Sequence, residues 1–281
     1  MRLVLAAAAA FSIFACGTHP QAGNTVGSNS TGSSSPSAGS KVKSVSGAVT
    51  TNATWSDTVN ITADTTINAG VTVTVKPGTT VNVAAKPTLT IYVKGTLDIQ
   101  GTSAAKVIVQ PTVARGHWNR FVLPVGGQLK AHYLVETGGG FRLIGGAVTL
   151  IDSDMSNTMG DLLEGNGSVD VEYSSIGLEP GRASSTHCDM HFDRGANKLK
   201  VTHTNISAAV YGMMFYGGTG ADFTYDNWFS NTIDVHTLAS YPVRGDFSFG
   251  WFARSAPGGP GITAHNLAKA RLPVGKAGPR P

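Results

Sequence analysis

The stretch SVDVEYSSI, residues 168–176, decides the fold, because three other stretches repeat its pattern: AVTLIDSDM from Ala147, KLKVTHTNI from Lys198 and ADFTYDNWF from Ala221. Each alternates apolar and spacer residues, passes a turn-forming residue and ends on an apolar one, which is typical of short strands with one buried face. The turn-forming positions are Asp154, Ser175, Asn205 and Asn227, separated by 21, 30 and 22 residues. A strand pattern that returns after 21 or 22 residues indicates the coil of a solenoid.

A single coil of this kind cannot bury its inner face, whereas stacked coils bury a continuous core. The chain also offers short runs rich in Val and Thr, such as VTVTVKPGTTVNV at 71–83, and no helical stripe beyond the first residues. We therefore predict an all-β fold, a parallel β-helix, and expect right-handed winding because parallel strands are connected that way. Asn and Asp in the turn-forming column are expected to adopt the left-handed backbone conformation of a corner.

The segment TTNATWSDTVNITADTTINAGVTVTVKPGTTVNV at 50–83 resembles the opening of bacterial surface proteins that carry a right-handed, pectin-lyase-like β-helix. The continuation GTLDIQGTSAAKVIVQP, followed by HWNRF, is similar to the next coil of those proteins, and the resemblance covers roughly residues 48–235. That fold occurs in lyases, hydrolases, epimerases and adhesins, so the resemblance indicates the fold but not the activity. The catalytic signatures of polygalacturonases and pectate lyases are not present as a set.

The first residues read as an export signal, in which Arg2 precedes an apolar run that stops at Cys16. The tetrapeptide IFAC at 13–16 resembles the lipobox of bacterial lipoproteins, which implies that Cys16 is lipidated; the alternative is ordinary cleavage with Cys16 discarded. Residues 17–47, rich in Ser, Gly and Thr, are predicted to be a disordered tether. We assign 1–16 to the signal, 48–235 to the β-helix and 236–281 to a C-terminal cap and basic tail.

The charge is divided along the chain. Residues 48–251 hold 13 basic and all 17 acidic residues, a net −4, whereas residues 252–281 hold five basic residues and no acid. The basic pI therefore comes largely from the tail, and no face that combines basic and aromatic residues predicts nucleic-acid binding. The only other cysteine, Cys188, is expected to be an inert buried thiol with no disulfide partner once Cys16 is acylated. We expect a monomer attached to the outer membrane or cell surface through its lipid.

The gap of 30 residues in the repeat places an insertion at GLEPGRAS, 177–184, directly before THCDMHFD at 186–193. In a strand, Cys188, Met190 and Phe192 face the core, while His187, Asp189, His191 and Asp193 face outward. When the glycine-bounded turns of neighbouring coils are matched, Asp193 lies beside Glu164 and Tyr216, His191 beside Leu162 and Met214, and Asp189 beside Gly160 and Gly212. On a strand, His187 and His191 are about 13 Å apart and are not expected to share a metal ion.

The candidate site is therefore the group of Glu164, Asp193 and His191, with Tyr216 beside it. Two carboxylates on adjacent coils repel each other unless a proton or a cation relieves them, so Glu164 and Asp193 predict a calcium site or a raised carboxyl pKa. The alternative is that these residues only solvate an outer face. Met214, His187 and Asp189 complete the surface predicted to contact a ligand.

Two functions remain open from the sequence. The first is a non-catalytic envelope lipoprotein whose rigid β-helix binds a glycan or another envelope component, or serves structurally. The second is a carbohydrate-active enzyme, a polysaccharide lyase or glycoside hydrolase, in which Glu164, Asp193 and His191 are catalytic. The missing set of catalytic signatures favours the first.

Overall fold

A computed structural model describes residues 42–177, 187–195 and 198–281. The signal and its Cys16, most of the tether, and most of the predicted insertion lie outside these residues. All of the described residues belong to one compact unit, Ser40–Pro281. They form no α-helix, and so none that is long and apolar enough to cross a membrane.

The described residues confirm the parallel β-helix. Twenty-five strands stack as coils along three parallel sheets, and each coil visits sheet C, then sheet B, then sheet A. Sheet A contains the first parts of β1 (Val42–Val49) and β3 (Thr58–Ile67), then β5 (Thr80–Val83), β8 (Val107–Pro111), β11 (Leu134–Thr137), β13 (Asp154–Ser156), β15 (Ser175–Gly177), β18 (Asn205–Ser207), β21 (Asn227–Phe229) and β24 (Trp251–Phe252).

Sheet B is formed by β2 (Ala53–Trp55), β4 (Thr72–Val75), β7 (Thr96–Gln100), β10 (Gln128–His132), the second parts of β12 (Phe141–Ile151) and β14 (Leu163–Glu172), β17 (Lys198–Thr202), β20 (Ala221–Asp222), β23 (Gly245–Asp246) and β25 (Ile262–Thr263). Sheet C is formed by the second parts of β1 and β3, β6 (Thr90–Val93), β9 (Arg120–Pro124), the first parts of β12 and β14, β16 (Cys188–Phe192), β19 (Tyr211–Phe215) and β22 (Ile233–His236).

Apolar residues from all three sheets stack in columns inside the coils. In sheet B, for example, Leu129 pairs with Val148, Val148 with Val169 and Val169 with Leu199, and all four are buried. Each such side chain removes apolar surface from water, worth about 1.5–3 kcal/mol. The alternation that predicted the fold is therefore the alternation between this core and the outer surface.

The predicted repeat column is confirmed, but its backbone conformation differs from the expectation. Asp154 pairs with Ser175, Ser175 with Asn205 and Asn205 with Asn227, as the alignment required. These residues begin the strands of sheet A rather than forming the corner. The left-handed corner lies two residues earlier, and its positive-φ residues are Tyr133, Asp152, Tyr173, His203, Tyr225 and Phe249.

Two ladders stabilise this corner. Inside, the Thr204 amide donates to the buried Asp226 carboxylate at 2.8 Å, and the Ser153 amide donates to the Ser174 hydroxyl at 3.1 Å. Buried backbone amides that the turn leaves unpaired thus find partners on the next coil. Outside, aromatic rings stack on successive coils, with centroid distances of 4.6, 4.8 and 4.9 Å along the series Tyr173, His203, Tyr225 and Phe249.

The boundaries of the β-helix are wider than predicted at both ends. The first strand begins at Val42, inside the segment assigned to the tether, because Val42–Val45 already pair with sheet A. At the other end, β23, β24 and β25 continue the stack beyond residue 235, although their repeat is hidden in a Gly-, Pro- and aromatic-rich sequence.

The basic tail packs against the coils. Arg280 donates three hydrogen bonds to the carboxylate of Asp152, two from its guanidinium at 2.8 and 2.7 Å and one from its backbone amide at 3.0 Å. The guanidinium also lies 4.1 Å from the Tyr173 ring. The Lys276 carbonyl accepts a hydrogen bond from Nδ1 of His203 at 2.7 Å, and the Gly278 amide donates to the His203 carbonyl. His203 is therefore a corner histidine whose hydrogen bonds are satisfied within the fold.

Candidate functional site

The candidate site lies on the outer face of sheet C around β16, and its register corrects the predicted one. His191 pairs with Glu164 on one side and with Met214 on the other. The predicted pairing of His191 with Met214 is confirmed. The predicted pairing of Glu164 with Asp193 is wrong, because the register on that side is displaced by two residues.

The predicted register was wrong because it took Gly165 as the end of a turn. This residue is not the boundary of a turn but lies within β14, paired with Phe192. Its φ is +103°, and a Cβ there would lie 2.1 Å from the Leu143 carbonyl oxygen, so only glycine fits where the strand runs this close to its neighbour. The buried column of Leu163, Met190 and Met213 sets the register instead, because these apolar side chains must stack in the core.

Glu164 is neutralised by arginines rather than by a cation shared with Asp193. It forms an ion pair with Arg120, and its Oε1 lies 3.6 Å from Nε of Arg142. Asp193 is 63% exposed and lies 3.7 Å from Nε2 of His191. The predicted pair of repelling carboxylates is therefore not formed. The geometry consequently gives no reason to expect a calcium ion between Glu164 and Asp193.

Asp161 organises the site. One of its carboxylate oxygens lies 3.0 Å from Nδ1 of His187, and the other lies 2.7 Å from Nδ1 of His191. The two histidines are four residues apart on one strand, but their side chains converge on this single carboxylate of the preceding coil. Asp161 itself is 15% exposed, and His187 is 51% exposed, so the cluster is reached from solvent on one side.

The electrostatics of the pair follow from these contacts. Burial favours the neutral form of Asp161, but hydrogen bonds with His191, His187 and Cys188 outweigh it and hold the pKa of Asp161 at about 2. The hydrogen bond to Asp161 raises the pKa of His191, against the opposing effect of burial. Asp161 is thus a carboxylate at neutral pH, and it favours the protonated form of His191.

Cys188 adjoins this pair. Its thiol is buried, and Sγ lies 3.2 Å from Nδ1 of His187. Burial, followed by the charge of Asp161, raises the pKa of the Cys188 thiol, so it is a neutral thiol in this state. Donor atoms of Asp161, Cys188 and His191 all lie within 4.8 Å of one another, which makes these the residues that could hold a metal ion.

Asp189 does not face solvent as predicted. It is fully buried at the corner that joins sheets A and C, where its carboxylate lies against Gly177 and close to the Ser207 amide. Burial raises its pKa well above the ordinary range, and neither carboxylate oxygen makes a regular hydrogen bond with the described residues. Asp189 is therefore a buried acid of the corner and not part of the exposed surface.

Aromatic side chains extend the site along sheet C. Together with the two histidines of β16 they form a surface that we call the His–Tyr strip, which consists of His187, His191, Tyr211, Tyr216, His236 and Tyr241. Rings of successive coils contact one another edge to face, at 5.5 Å between His191 and Tyr216 and 5.3 Å between His187 and Tyr211. The Tyr216 hydroxyl shares a hydrogen bond of 2.8 Å with Nδ1 of His236.

The strip ends at an open groove. The ring of Tyr241 stacks on that of Tyr216, with 5.2 Å between the ring centroids. The guanidinium carbon of Arg194 lies 4.2 Å from the centroid of the Tyr241 ring. The same Tyr241 lines a groove of about 450 Å³ together with Leu238, Pro242 and Pro260. The predicted Tyr216 and Met214 thus lie at the centre of a half-exposed surface that crosses several coils, with Met214 between His191 and His236 in register.

Sequence reasoning found His187, His191, Met214 and Tyr216, but missed Asp161, Arg120, Tyr211, His236 and Tyr241. The signal for Asp161 was its position in MGDLLEG, two residues before the buried Leu163, where a coil turns into sheet C. Aligning Leu163 with Met190 and Met213 would have placed Asp161 beside Cys188 and Tyr211.

Comparison with protein-family models, with curated proteins and with solved structures finds no match to this chain. The function is therefore argued from the site alone.

Proposed function

We propose that this protein is an exported, lipid-anchored envelope protein whose β-helix binds a glycan, without catalysis, along the His–Tyr strip. The observation that carries the proposal is the row of half-exposed rings on sheet C that ends at the groove beside Tyr241. Anchorage rests on the lipobox-like end of the apolar run at Cys16.

A parallel sheet suits an extended ligand. Adjacent coils repeat every 4.8 Å or so, and their outward side chains are held by a packed core, so the surface is rigid before the ligand arrives. The rings of Tyr211, Tyr216 and Tyr241 offer apolar faces for sugar rings. His191, Asp193 and Arg194 offer donors and acceptors for hydroxyl or carboxylate groups beside them.

One observation favours the enzymatic alternative. His191 lies between two carboxylates, Asp161 at 2.7 Å and Asp193 at 3.7 Å, an arrangement that orients an imidazole for proton transfer. Against it, Glu164 is committed to Arg120 and Arg142 and is not available as a second acid or base. A lyase or hydrolase would then depend on His191 and Asp193 without Glu164.

The test is binding of the full chain to polygalacturonate, peptidoglycan and lipopolysaccharide by calorimetry, with the reaction mixtures also analysed for shortened or unsaturated sugars. Tyr216→Ala is expected to weaken binding about tenfold or more, because a central aromatic contact is lost. Tyr92→Ala is the matched control, since Tyr92 is 36% exposed on the same sheet but several coils away.

Binding that both tyrosine variants weaken equally, or no binding to any glycan, would contradict the proposal. Released products that disappear in His191→Ala would establish the enzymatic alternative. Anchoring is tested separately: Cys16→Ser is expected to move the protein out of the detergent phase or to block its maturation, and unchanged partitioning would exclude lipidation.

A further inference from the structure

Three potential metal ligands from two coils, Asp161, Cys188 and His191, meet near the start of β16, and His187 contacts two of them. Asp161 Oδ1 and His187 Nδ1 are 3.0 Å apart, His187 Nδ1 and Cys188 Sγ are 3.2 Å apart, and Asp161 Oδ2 and His191 Nδ1 are 2.7 Å apart. The donor atoms of Asp161, Cys188 and His191 lie within 4.8 Å of one another. The hydrogen bonds that link them join the atoms that would bind a metal.

The separations suit a tetrahedral ion. Zinc binds sulfur at about 2.3 Å and nitrogen or oxygen at about 2.0–2.2 Å, so its ligands lie roughly 3.3–3.6 Å apart. The three hydrogen-bonded separations, 2.7, 3.0 and 3.2 Å, are slightly shorter than this range. Side-chain movement must therefore spread these atoms around the ion and bring His187 to the fourth position, and the ligands project from two hydrogen-bonded neighbouring coils. A thiolate with two imidazoles favours a transition metal over calcium or magnesium, which prefer oxygen.

A second carboxylate lies on the outer side of His191. The Nδ1 atom of His191 points into the cluster, while Nε2 lies 3.7 Å from Asp193, a charge contact rather than a hydrogen bond. Metal-binding histidines commonly have a carboxylate beside their other ring nitrogen, and a small movement of the exposed Asp193 would supply that hydrogen bond. The exposed flank of His187 gives the ion a path from solvent.

From these contacts we propose that Asp161, His187, Cys188 and His191 form a zinc site. Binding converts the Cys188 thiol to a thiolate and releases its proton to solvent, and any proton on His191 Nδ1 leaves as well, because that nitrogen must offer its lone pair. One carboxylate and one thiolate then balance the two positive charges of the ion. This site shares His187 and His191 with the strip proposed to bind a glycan, so zinc binding is tested without glycan, and its outcome does not depend on whether a glycan binds.

The experiment is calorimetric titration of the full chain, stripped with a chelator and free of glycan, with ZnCl₂. We expect one Zn²⁺ per chain and proton release, and a loss of affinity of at least about 100-fold in Cys188→Ala and in His191→Ala. His236→Ala is the matched control on the same sheet, and Cys16→Ser controls for the other cysteine; both should bind as the wild type does.

Cobalt supplies a measurement that leaves all four proposed ligands in place. Co²⁺ added to the wild-type chain and to Cys16→Ser should produce the thiolate charge-transfer band and the intense visible bands of a tetrahedral site. Absence of these bands in Cys16→Ser, or Zn²⁺ binding that Cys188→Ala leaves unchanged, would overturn the zinc site. The cluster would then be a hydrogen-bonded group only. This cobalt test also decides the matter if Cys188→Ala does not fold.

Discussion

The Asp161 carboxylate, shared by two histidines of the next coil, is the single group on which the chemistry of the site depends. It stays ionised because the hydrogen bonds it accepts outweigh the cost of its burial. The same contact supports the charged form of His191. Two residues separated by 30 positions in the chain therefore behave as one titrating unit.

Replacing Asp161 with Asn should lower the pKa of His191, because the carboxylate that stabilises the imidazolium is removed. Since this pKa is raised in the folded state, the pair stabilises the protein below the ordinary histidine pKa, and that contribution is lost as pH rises through the folded value. Nuclear magnetic resonance titration of the His191 ring measures the change. Asp193→Asn is the matched control and should have a smaller effect, since Asp193 is 3.7 Å away. An equal effect of both variants would contradict the role given to Asp161.

A second prediction concerns the effect of pH on stability through the buried Glu136. Burial raises its pKa to about 8 from an ordinary 4.5, with a partial opposing effect from the Gly139 amide, which donates to it at 2.9 Å. Its contribution to stability is therefore complete below pH 4.5 and is lost as pH rises through about 8. Glu136→Gln should be more stable than the wild type at pH 8 by on the order of 1–4 kcal/mol, and the difference should shrink at low pH. Urea unfolding at both pH values tests this, and a difference independent of pH would disprove it.

Strand alternation and coil length were readable from the sequence, because they reflect simple rules of burial. Asp154, Ser175, Asn205 and Asn227 were aligned correctly since each follows an apolar pair in the same phase. The pairing of Glu164 was not readable from glycine positions, because Gly165 serves a close approach inside a strand rather than a turn.

The convergence at Asp161 could not be predicted from backbone spacing. Because His187 and His191 are four residues apart along one strand, their Cα atoms are far apart. Their side chains nevertheless turn towards each other and contact the same Asp161 carboxylate at a corner. The burial of Asp189 was hidden for a similar reason: alternation assigns a side chain to the outer face of its own sheet, but not to the corner where another sheet covers it.

A substitution at Val201 tests the packing of β17. It is fully buried in β17, where it pairs with Val171, so Val201→Asp places an unpaired charge in the core and should unfold the β-helix or cost several kcal/mol. Lys198→Asp is the matched control on the same strand, because Lys198 is exposed. Lys200 is a poor control, since its ammonium pairs with Glu172 and Asp170. Thermal unfolding compares the variants, and equal losses would mean that the register of β17 is different.

At the scale of the whole molecule, the C-terminal tail packs back against an earlier coil. Arg280 contacts Asp152, which lies 128 residues earlier in the sequence. Asp152 is only 2% exposed at its side chain, so losing the guanidinium leaves a buried carboxylate without its strongest partner. Arg280→Ala should destabilise the protein by about 1–3 kcal/mol. High salt should reproduce only part of the effect, because the Asp152 carboxylate is buried although the Arg280 side chain is 44% exposed. Arg254→Ala is the control, since Arg254 is an exposed arginine outside this contact. Equal denaturant midpoints for Arg280→Ala and the wild type would show that the tail contributes nothing.

Hydroxyl-radical footprinting of the full chain, with and without a glycan that calorimetry shows to bind, tests the proposed role of sheet C most directly. Histidine, tyrosine and methionine side chains react readily, and the strip together with the adjacent Met214 contains all three. The account predicts protection of His191, Met214, Tyr216 and Tyr241, which are distant in sequence and adjacent only on this face. Tyr225 and Tyr92, which are exposed away from the strip, should react equally in both states. Protection of Tyr225 and Tyr92 with an unprotected strip, or uniform reactivity with glycan bound, would contradict it.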